Sequence, residues 1–152
     1  DFAAEEEPTV ILFFGDHQPN LEDEFYAAAG LKSGGGAEET EKRYSTPFFI
    51  WANYDIPEAE GLNVSINYLS SLLMDAAGLE KTGYQTFLGK LSESWPVINS
   101  QGALSADGSW HSLYDPVFAD SEGARDYRIL QYNHLFDPSG LREDIFGLDP
   151  EG

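Results

Sequence analysis

Residues 10–14 read Val-Ile-Leu-Phe-Phe, apolar at every position, and the run stops abruptly at Gly15-Asp16-His17-Gln18-Pro19. A strand without polar alternation has to be covered on both faces, as central strands of parallel sheets are. Residues 47–52, Pro-Phe-Phe-Ile-Trp-Ala, form a second run of the same kind. The expectation is that 9–14 and 47–52 are neighbouring parallel strands, because the segment between them is long enough for a crossover. With 152 residues, 41% of them hydrophobic and 14% aromatic, the chain has material for one domain with a real core. No internal repeat or linker marks a second domain.

Between the two runs, 21–29 reads as a short helix carrying Phe25, and 32–43, with Gly34-Gly35-Gly36 and three Glu, as a mobile surface loop. The Gly triplet lacks the spacing and the following Lys-Ser/Thr of a phosphate-cradling loop. Glu5, Glu6 and Glu7 before Pro8 form a solvated lead into the first strand. After the second run, 53–62 is a loop with Pro57, and Ser65 is placed to cap a helix whose apolar stripe is Ile66, Leu69, Leu72, Leu73, Ala76 and Ala77, stopped by Gly78. Thr82 caps a second helix with the stripe Tyr84, Phe87, Leu88 and Leu91, ending before Pro96. From 97 to 113 short segments separated by Gly102 and Asp107-Gly108 predict a small antiparallel hairpin. Residues 125–136 form a last helix with Ile129, Tyr132 and Phe136 on one side and Tyr127, Leu130 and His134 on another, and 137–152 is irregular.

Chemistry concentrates where the first strand stops. Gly15 lets the chain turn outward, and Asp16 and His17 then deliver a carboxylate oxygen and an imidazole nitrogen to a solvent-facing strand end, a donor pair suited to a divalent metal. Strand ends of this kind are where open α/β sheets bind ligands. Gln18 and Asn20 are neutral hydrogen-bonding groups placed to support the pair, with a plain turn around Pro19 as the alternative. Two ligands alone hold a dication weakly, since a stable site takes about four. His111 is read as an exposed structural residue of the hairpin and His134 as a satisfied core or boundary histidine. Trp95, Trp110 and Tyr114 offer aromatic faces for sugar stacking, with core packing as the competing role. There is no Gly-x-Ser-x-Gly motif, and no Ser-His-Asp set is arguable from spacing.

Taken together, the segments TVILFFGDHQPNL, TPFFIWANYDI, SINYLSSLLMDAAGL and YRILQYNHLFD resemble the carboxy-terminal part of the sulfatase-like phosphoglycerol transferases, the lipoteichoic acid synthase family within the alkaline phosphatase superfamily. The resemblance runs from about Pro8 to Asp137. It implies an α/β fold: part of an alkaline-phosphatase/sulfatase-like sheet with packed helices and a small terminal hairpin, residues 1–152 forming the carboxy-terminal fragment of the catalytic domain. It also implies that Asp16 and His17 are metal ligands for Mn or Mg, while the Thr nucleophile, an acidic ligand and a phosphate-binding Arg and His lie upstream. No catalytic residue is expected in this fragment, which is expected to be inactive alone. The implied parent transfers or hydrolyses phosphoglycerol-type phosphate esters in cell-envelope polymer synthesis, at the extracellular face of a bacterial membrane. Gln18-Pro19-Asn20 after Gly-Asp-His departs from the lipoteichoic acid synthases proper and looks more like other sulfatase-like relatives. The alternatives are a sulfate-ester hydrolase and a non-catalytic acidic interaction module.

Charge narrows the partners. The chain has 27 acidic against 8 basic residues, a formal charge of −19, which argues against binding nucleic acid or an anionic membrane surface. A phosphate- or sulfate-ester substrate therefore needs positive charge from a metal or from residues outside this chain. With no cysteine, disulfides and thiol catalysis are excluded. No signal peptide or membrane span is expected in the segment itself, any membrane anchor belonging to upstream segments, so the fragment is expected to be soluble.

Overall fold

The computed structural model describes residues 2–31 and 36–148. They form a mixed α/β structure with helices and two small antiparallel sheets. The chain divides into two compact units, Asp1–Glu58 and Ala59–Gly152, and the division falls inside the 53–62 loop.

In the first unit, β1 (Val10–Phe14) pairs with β2 (Phe48–Ala52), with Val10 opposite Ala52 and Phe14 opposite Phe48. The strands are neighbours, but antiparallel rather than parallel. An apolar run specifies burial and not the direction of its partner, and here side chains fasten both ends of the antiparallel ladder. At one end Thr9 N–H donates to Asn53 Oδ1 (2.8 Å) and Asn53 N–H to the Thr9 carbonyl (3.1 Å). At the other, Gly15 N–H donates to the Pro47 carbonyl (3.0 Å) and Thr46 Oγ1 to the Gly15 carbonyl (2.8 Å). Nor are the strands buried on both faces: Phe13 and Phe49 are each 54% exposed. In a two-stranded ribbon one face is covered only by its own cross-strand contacts, and these two opposed rings stack with centroids 5.1 Å apart.

Two helices lie in the described part of the excursion between the strands. Helix α1 (Asp23–Ala28), within the 21–29 stretch expected to be helical, buries Tyr26 and leaves Phe25 exposed. Residues 37–43, expected to be loop, belong to helix α2 (Ala37–Tyr44); the rest of that stretch, 32–35 with Gly34 and Gly35, lies outside the described residues. Helix α2 has no apolar stripe, so periodicity is silent, yet Ala, Glu, Lys and Arg are good helix formers. Ser45 closes it, its N–H and hydroxyl both donating to the Glu41 carbonyl at 2.8 Å.

In the second unit a 3-10 turn (Ile66–Tyr68) leads into α3 (Leu69–Ala77). Ser65 precedes the turn without capping it, and Ile66, expected in the apolar stripe, is exposed while Tyr68, Leu69 and Ser71 are buried. Ile66 lies in the 3-10 turn and falls off the stripe, which Leu69, Leu72, Leu73, Ala76 and Ala77 keep as buried or half-buried residues. Gly78 ends α3 in the left-handed region (φ 66°), with Gly78 N–H bonded to the Asp75 carbonyl and Leu79 N–H to Met74. Helix α4 (Gly83–Ser94) opens with a reciprocal cap: Thr82 Oγ1 accepts from Gln85 N–H (3.1 Å) and Gln85 Oε1 from Thr82 N–H (3.0 Å).

Strands β3 (Val97–Asn99), β4 (Gly102–Leu104) and β5 (Trp110–His111) form the expected antiparallel element, in that order. Helix α5 (Pro116–Ala119) is followed by α6 (Glu122–Phe136). Tyr68, Leu88, Leu91, Trp95, Ala103, Phe118, Ala124 and Tyr127 make the core, with Tyr84 and Phe87 against it. The Tyr127 side of α6 is thus the inner one; Ile129, Tyr132 and Phe136 are exposed. The segment after α6, expected to be irregular, includes a short helix α7 (Glu143–Phe146). Asn133 holds it, donating to the Gly140 carbonyl (2.7 Å) and accepting from Arg142 N–H (3.1 Å). Phe146 packs on Tyr84 at 5.0 Å and on the His134 ring at 4.7 Å.

Candidate metal centre

The end of β1 is shaped by what faces Gly15. A Cβ there would lie 2.7 Å from Thr46 Cβ, so only glycine fits. Immediately beyond, Asp16 Oδ1 accepts from the His17 backbone N–H (2.9 Å), which folds the carboxylate back over the turn. Asp16 Oδ2 then lies 3.4 Å from His17 Nε2, with the two side chains 79% and 77% exposed. His17 Nδ1 is 3.1 Å from the Gln18 carbonyl. A carbonyl only accepts, so Nδ1 carries the proton in that contact, and Nε2 is the ring nitrogen turned toward the carboxylate.

That arrangement fits a cation. Two donors each about 2.1 Å from an ion lie about 3.4 Å apart at a near-tetrahedral angle and about 3.0 Å apart at the right angle of an octahedral ion such as Mg, so only a small closing of the pair is needed for the latter, and a ring nitrogen fixed by a backbone carbonyl is the usual second contact of a ligating histidine. Among the described residues no group of three or more His, Asp or Glu converges as a metal shell; Asp16 and His17 bring two donor atoms together, and no third such side chain joins them. The Gln18 side chain is turned away from the pair, its Nε2 donating to the Ser45 carbonyl; the Gln18 backbone, not its amide, touches His17. Asn20 is exposed. Tyr26, which sequence reasoning passed over, fixes the loop further on, its hydroxyl donating to the Pro19 carbonyl (2.6 Å). Arg43 lies 4.0 Å over the Tyr26 ring and pairs with Asp23 at 3.2 Å.

A second polar cluster lies in the other unit. His111, expected to be exposed, has only 15% of its side chain accessible, with Nδ1 3.1 Å from Asp115 Oδ2 and its ring edge-on to Trp95 at 5.4 Å. Its Nε2 is 3.5 Å from Ser105 Oγ. The order Ser, His, Asp is that of a nucleophile relay, but Ser105 Oγ is already within 2.5 Å of Asp107 Oδ1 and 2.9 Å of the Ser109 carbonyl. The cluster therefore ties the β4–β5 turn to the start of α5, where Asp115 Oδ1 accepts from Val117 N–H (3.0 Å). Hydrogen bonds from the Ser105 hydroxyl, then from Ser109, pull Asp107 down to about 2. Asp115 is lowered by the Val117 N–H and then by His111.

The remaining candidates divide between core and surface. Trp95 is buried in the core, Trp110 is half-buried, and Tyr114 is 91% exposed. His134, expected in the core or at its boundary, is exposed on α6.

Comparison with known proteins adds a family. The sulfatase family model matches residues 1–79, a span that includes the whole β1–β2 unit and the Asp16–His17 pair. The chain is 30% identical over 157 residues to a putative cyclic beta-1,2-glucan modification protein of Rhizobium meliloti (strain 1021). That match covers 96% of this chain and 24% of the relative, so the chain spans about a quarter of the relative's length. No solved structure matches it.

Proposed function

The chain belongs to the sulfatase family, and from that premise we propose that it is the carboxy-terminal part of a metal-dependent, sulfatase-like phosphoglycerol transferase related to the lipoteichoic acid synthases. The reading rests above all on one observation: Asp16 Oδ2 and the Nε2 of a His17 whose other nitrogen meets a carbonyl lie 3.4 Å apart at an exposed strand end. Asp16 and His17 hold a divalent cation, Mn or Mg, together with ligands from upstream. Such an ion, when bound, activates the nucleophile and screens charge on the transferred phosphoryl group.

The chain's own residues position and orient. Asp16 supplies the hard anionic oxygen, His17 the neutral nitrogen, and the fastened β1–β2 ladder keeps both at one place. The nucleophile lies outside this chain, so residues 1–152 alone are inactive. The cyclic glucan named in the relative's description supports a cell-envelope glycan as acceptor, at the extracellular face of the membrane. No helix among the described residues is long and apolar enough to cross a membrane, and anchoring belongs to upstream segments.

The test uses the longer protein that carries this segment, assayed at saturating Mn or Mg on a phosphoglycerol ester and on a sulfate ester. Asp16→Ala and His17→Ala are each expected to lower phosphoglycerol turnover at least about a hundredfold without loss of folding, since they remove charge stabilisation and not core packing. Turnover of the sulfate ester alone would move the assignment to a sulfate-ester hydrolase. Near-normal phosphoglycerol turnover in both variants would remove the metal role.

A further inference from the structure

Residues 45–47 approach the Asp16–His17 turn in a way the strand ladder alone does not require. In the β1–β2 register Gly15 stands opposite Pro47, one step beyond Phe14 and Phe48. An antiparallel pair of this kind exchanges two hydrogen bonds. Gly15 N–H makes the first, to the Pro47 carbonyl (3.0 Å). The second would run from the N–H of residue 47 to the Gly15 carbonyl, and proline has none. Thr46 supplies the missing donor from its side chain, Oγ1 bonding the Gly15 carbonyl at 2.8 Å. The same side chain fills the space above Gly15, with Cβ and Cγ2 at 2.7 and 3.1 Å from where a Cβ would stand. Ser45 completes the contact by accepting from Gln18 Nε2.

We infer that Thr46 is a positioning residue for the Asp16–His17 pair: its hydroxyl closes the ladder in place of the proline N–H, and its methyl sets the turn that points both ligands outward. This rests on the metal reading above for its purpose, though not for its geometry. Consecutive residues at a strand end have side chains on opposite faces, so Asp16 and His17 can approach one ion only if the chain leaves strand geometry at Gly15. Proline halts the ladder, and the threonine hydroxyl leaves no carbonyl unpaired where it halts. The pairing is specific in its chemistry: serine keeps the donor, valine keeps the shape and loses it.

The experiment separates the two claims by reading different signals from the isotope-labelled 152-residue chain. Without metal, Thr46→Val is expected to move the amide resonances of Gly15 and His17, speed their hydrogen exchange at least about tenfold, and alter the His17 ring nitrogen shifts that report its tautomer; Thr46→Ser is expected to retain all three. With Mn²⁺ alone as probe, the wild-type chain should show paramagnetic broadening centred on Asp16 and His17. Its midpoint should rise about 10–100-fold in Thr46→Val, the range seen when groups supporting metal ligands are lost. Unchanged metal-free signals and midpoint in Thr46→Val would overturn the positioning role. Absence of preferential broadening at Asp16 and His17 even at Mn²⁺ concentrations high enough to fill a weak two-ligand site, with the metal-free changes present, would overturn the metal reading while leaving Thr46 as the residue that sets the turn. Should Thr46→Val unfold, Thr46→Ser against Thr46→Ala decides the same question, retention in Ser and loss in Ala supporting it and equal loss in both overturning it.

Discussion

The hydroxyl of Ser65 makes both hydrogen bonds that a neighbouring strand would offer Ile98, accepting from the Ile98 N–H at 2.7 Å and donating to the Ile98 carbonyl at 2.9 Å. The Ser65 N–H adds a third bond, to the Pro96 carbonyl at 3.0 Å. A residue placed by sequence to cap a helix instead seals the outer edge of β3. Ser65→Ala should therefore cost more than the loss of a helix cap, because it leaves a half-buried N–H and carbonyl unpaired. The expected loss is about 1–3 kcal/mol, read as a lower urea midpoint with unchanged slope. A loss under about 0.5 kcal/mol would mean that water replaces the serine at no cost.

Ser65 also shows where sequence reasoning stops. Helix existence was legible in α3, α4 and α6 because each has apolar residues at helical spacing, and the stop at Gly78 and the cap at Thr82 have local chemistry that needs no partner. Strand direction was not legible, because Val10–Phe14 reads the same beside a parallel or an antiparallel neighbour; the deciding contacts come from Asn53 and Thr46, far along the chain. Helix α2 was missed because its faces are all polar. The adjacency of Asp16 and His17 is visible in the sequence, whereas their 3.4 Å approach depends on backbone contacts from His17 and Gln18. The Ser105–His111–Asp115 cluster required the β4–β5 pairing before its members could be brought together.

The acid limb of stability should report the β4–β5 turn. Asp107, ordinarily near 3.8, is held down to about 2 by the Ser105 hydroxyl, and Asp115 is lowered by the Val117 N–H. A carboxylate whose pKa is depressed on folding stabilises above its unfolded pKa and loses that contribution as pH falls through the folded value. The melting temperature should therefore decline between pH about 4 and about 2, and Asp107→Asn should flatten the decline. Asp107 is exposed and Asp115 only half-buried, so the effect is expected to be small and to shrink in high salt. An Asp107→Asn profile that superimposes on the wild type would sink this assignment.

At the alkaline end the sign reverses. Burial, with Tyr127 close by, pushes Tyr84 up to about 12, and burial raises Tyr68 as well. Folding favours the neutral phenols, so their contribution is whole below pH about 10 and is lost as pH rises through the folded values. Ultraviolet titration of the phenolates should show a late class of tyrosines that ionises together with loss of helical circular dichroism. Tyr84→Phe should shift that unfolding to higher pH. If the late phenolates appear while the helical signal stays intact, these rings titrate within the folded unit and the coupling is refuted.

Tyr26 gives the contrasting test in the first unit. Its hydroxyl donates to the Pro19 carbonyl at 2.6 Å and accepts from the Leu21 N–H at 3.3 Å, under an Arg43 guanidinium that Asp23 holds in place. It therefore fixes 19–21, the segment leaving the Asp16–His17 turn, while Gly15 to Gln18 are held separately by Ser45, Thr46 and Pro47. Tyr26→Phe keeps the ring and its cation contact and removes only the hydroxyl, at an expected cost of about 1 kcal/mol. Hydrogen exchange at the Leu21 amide should accelerate, while the Gly15 and His17 amides, whose partners are untouched, should exchange as before. Equal acceleration at all three would show that the turn and the segment after it open as one unit, with Tyr26 rather than Thr46 holding it shut.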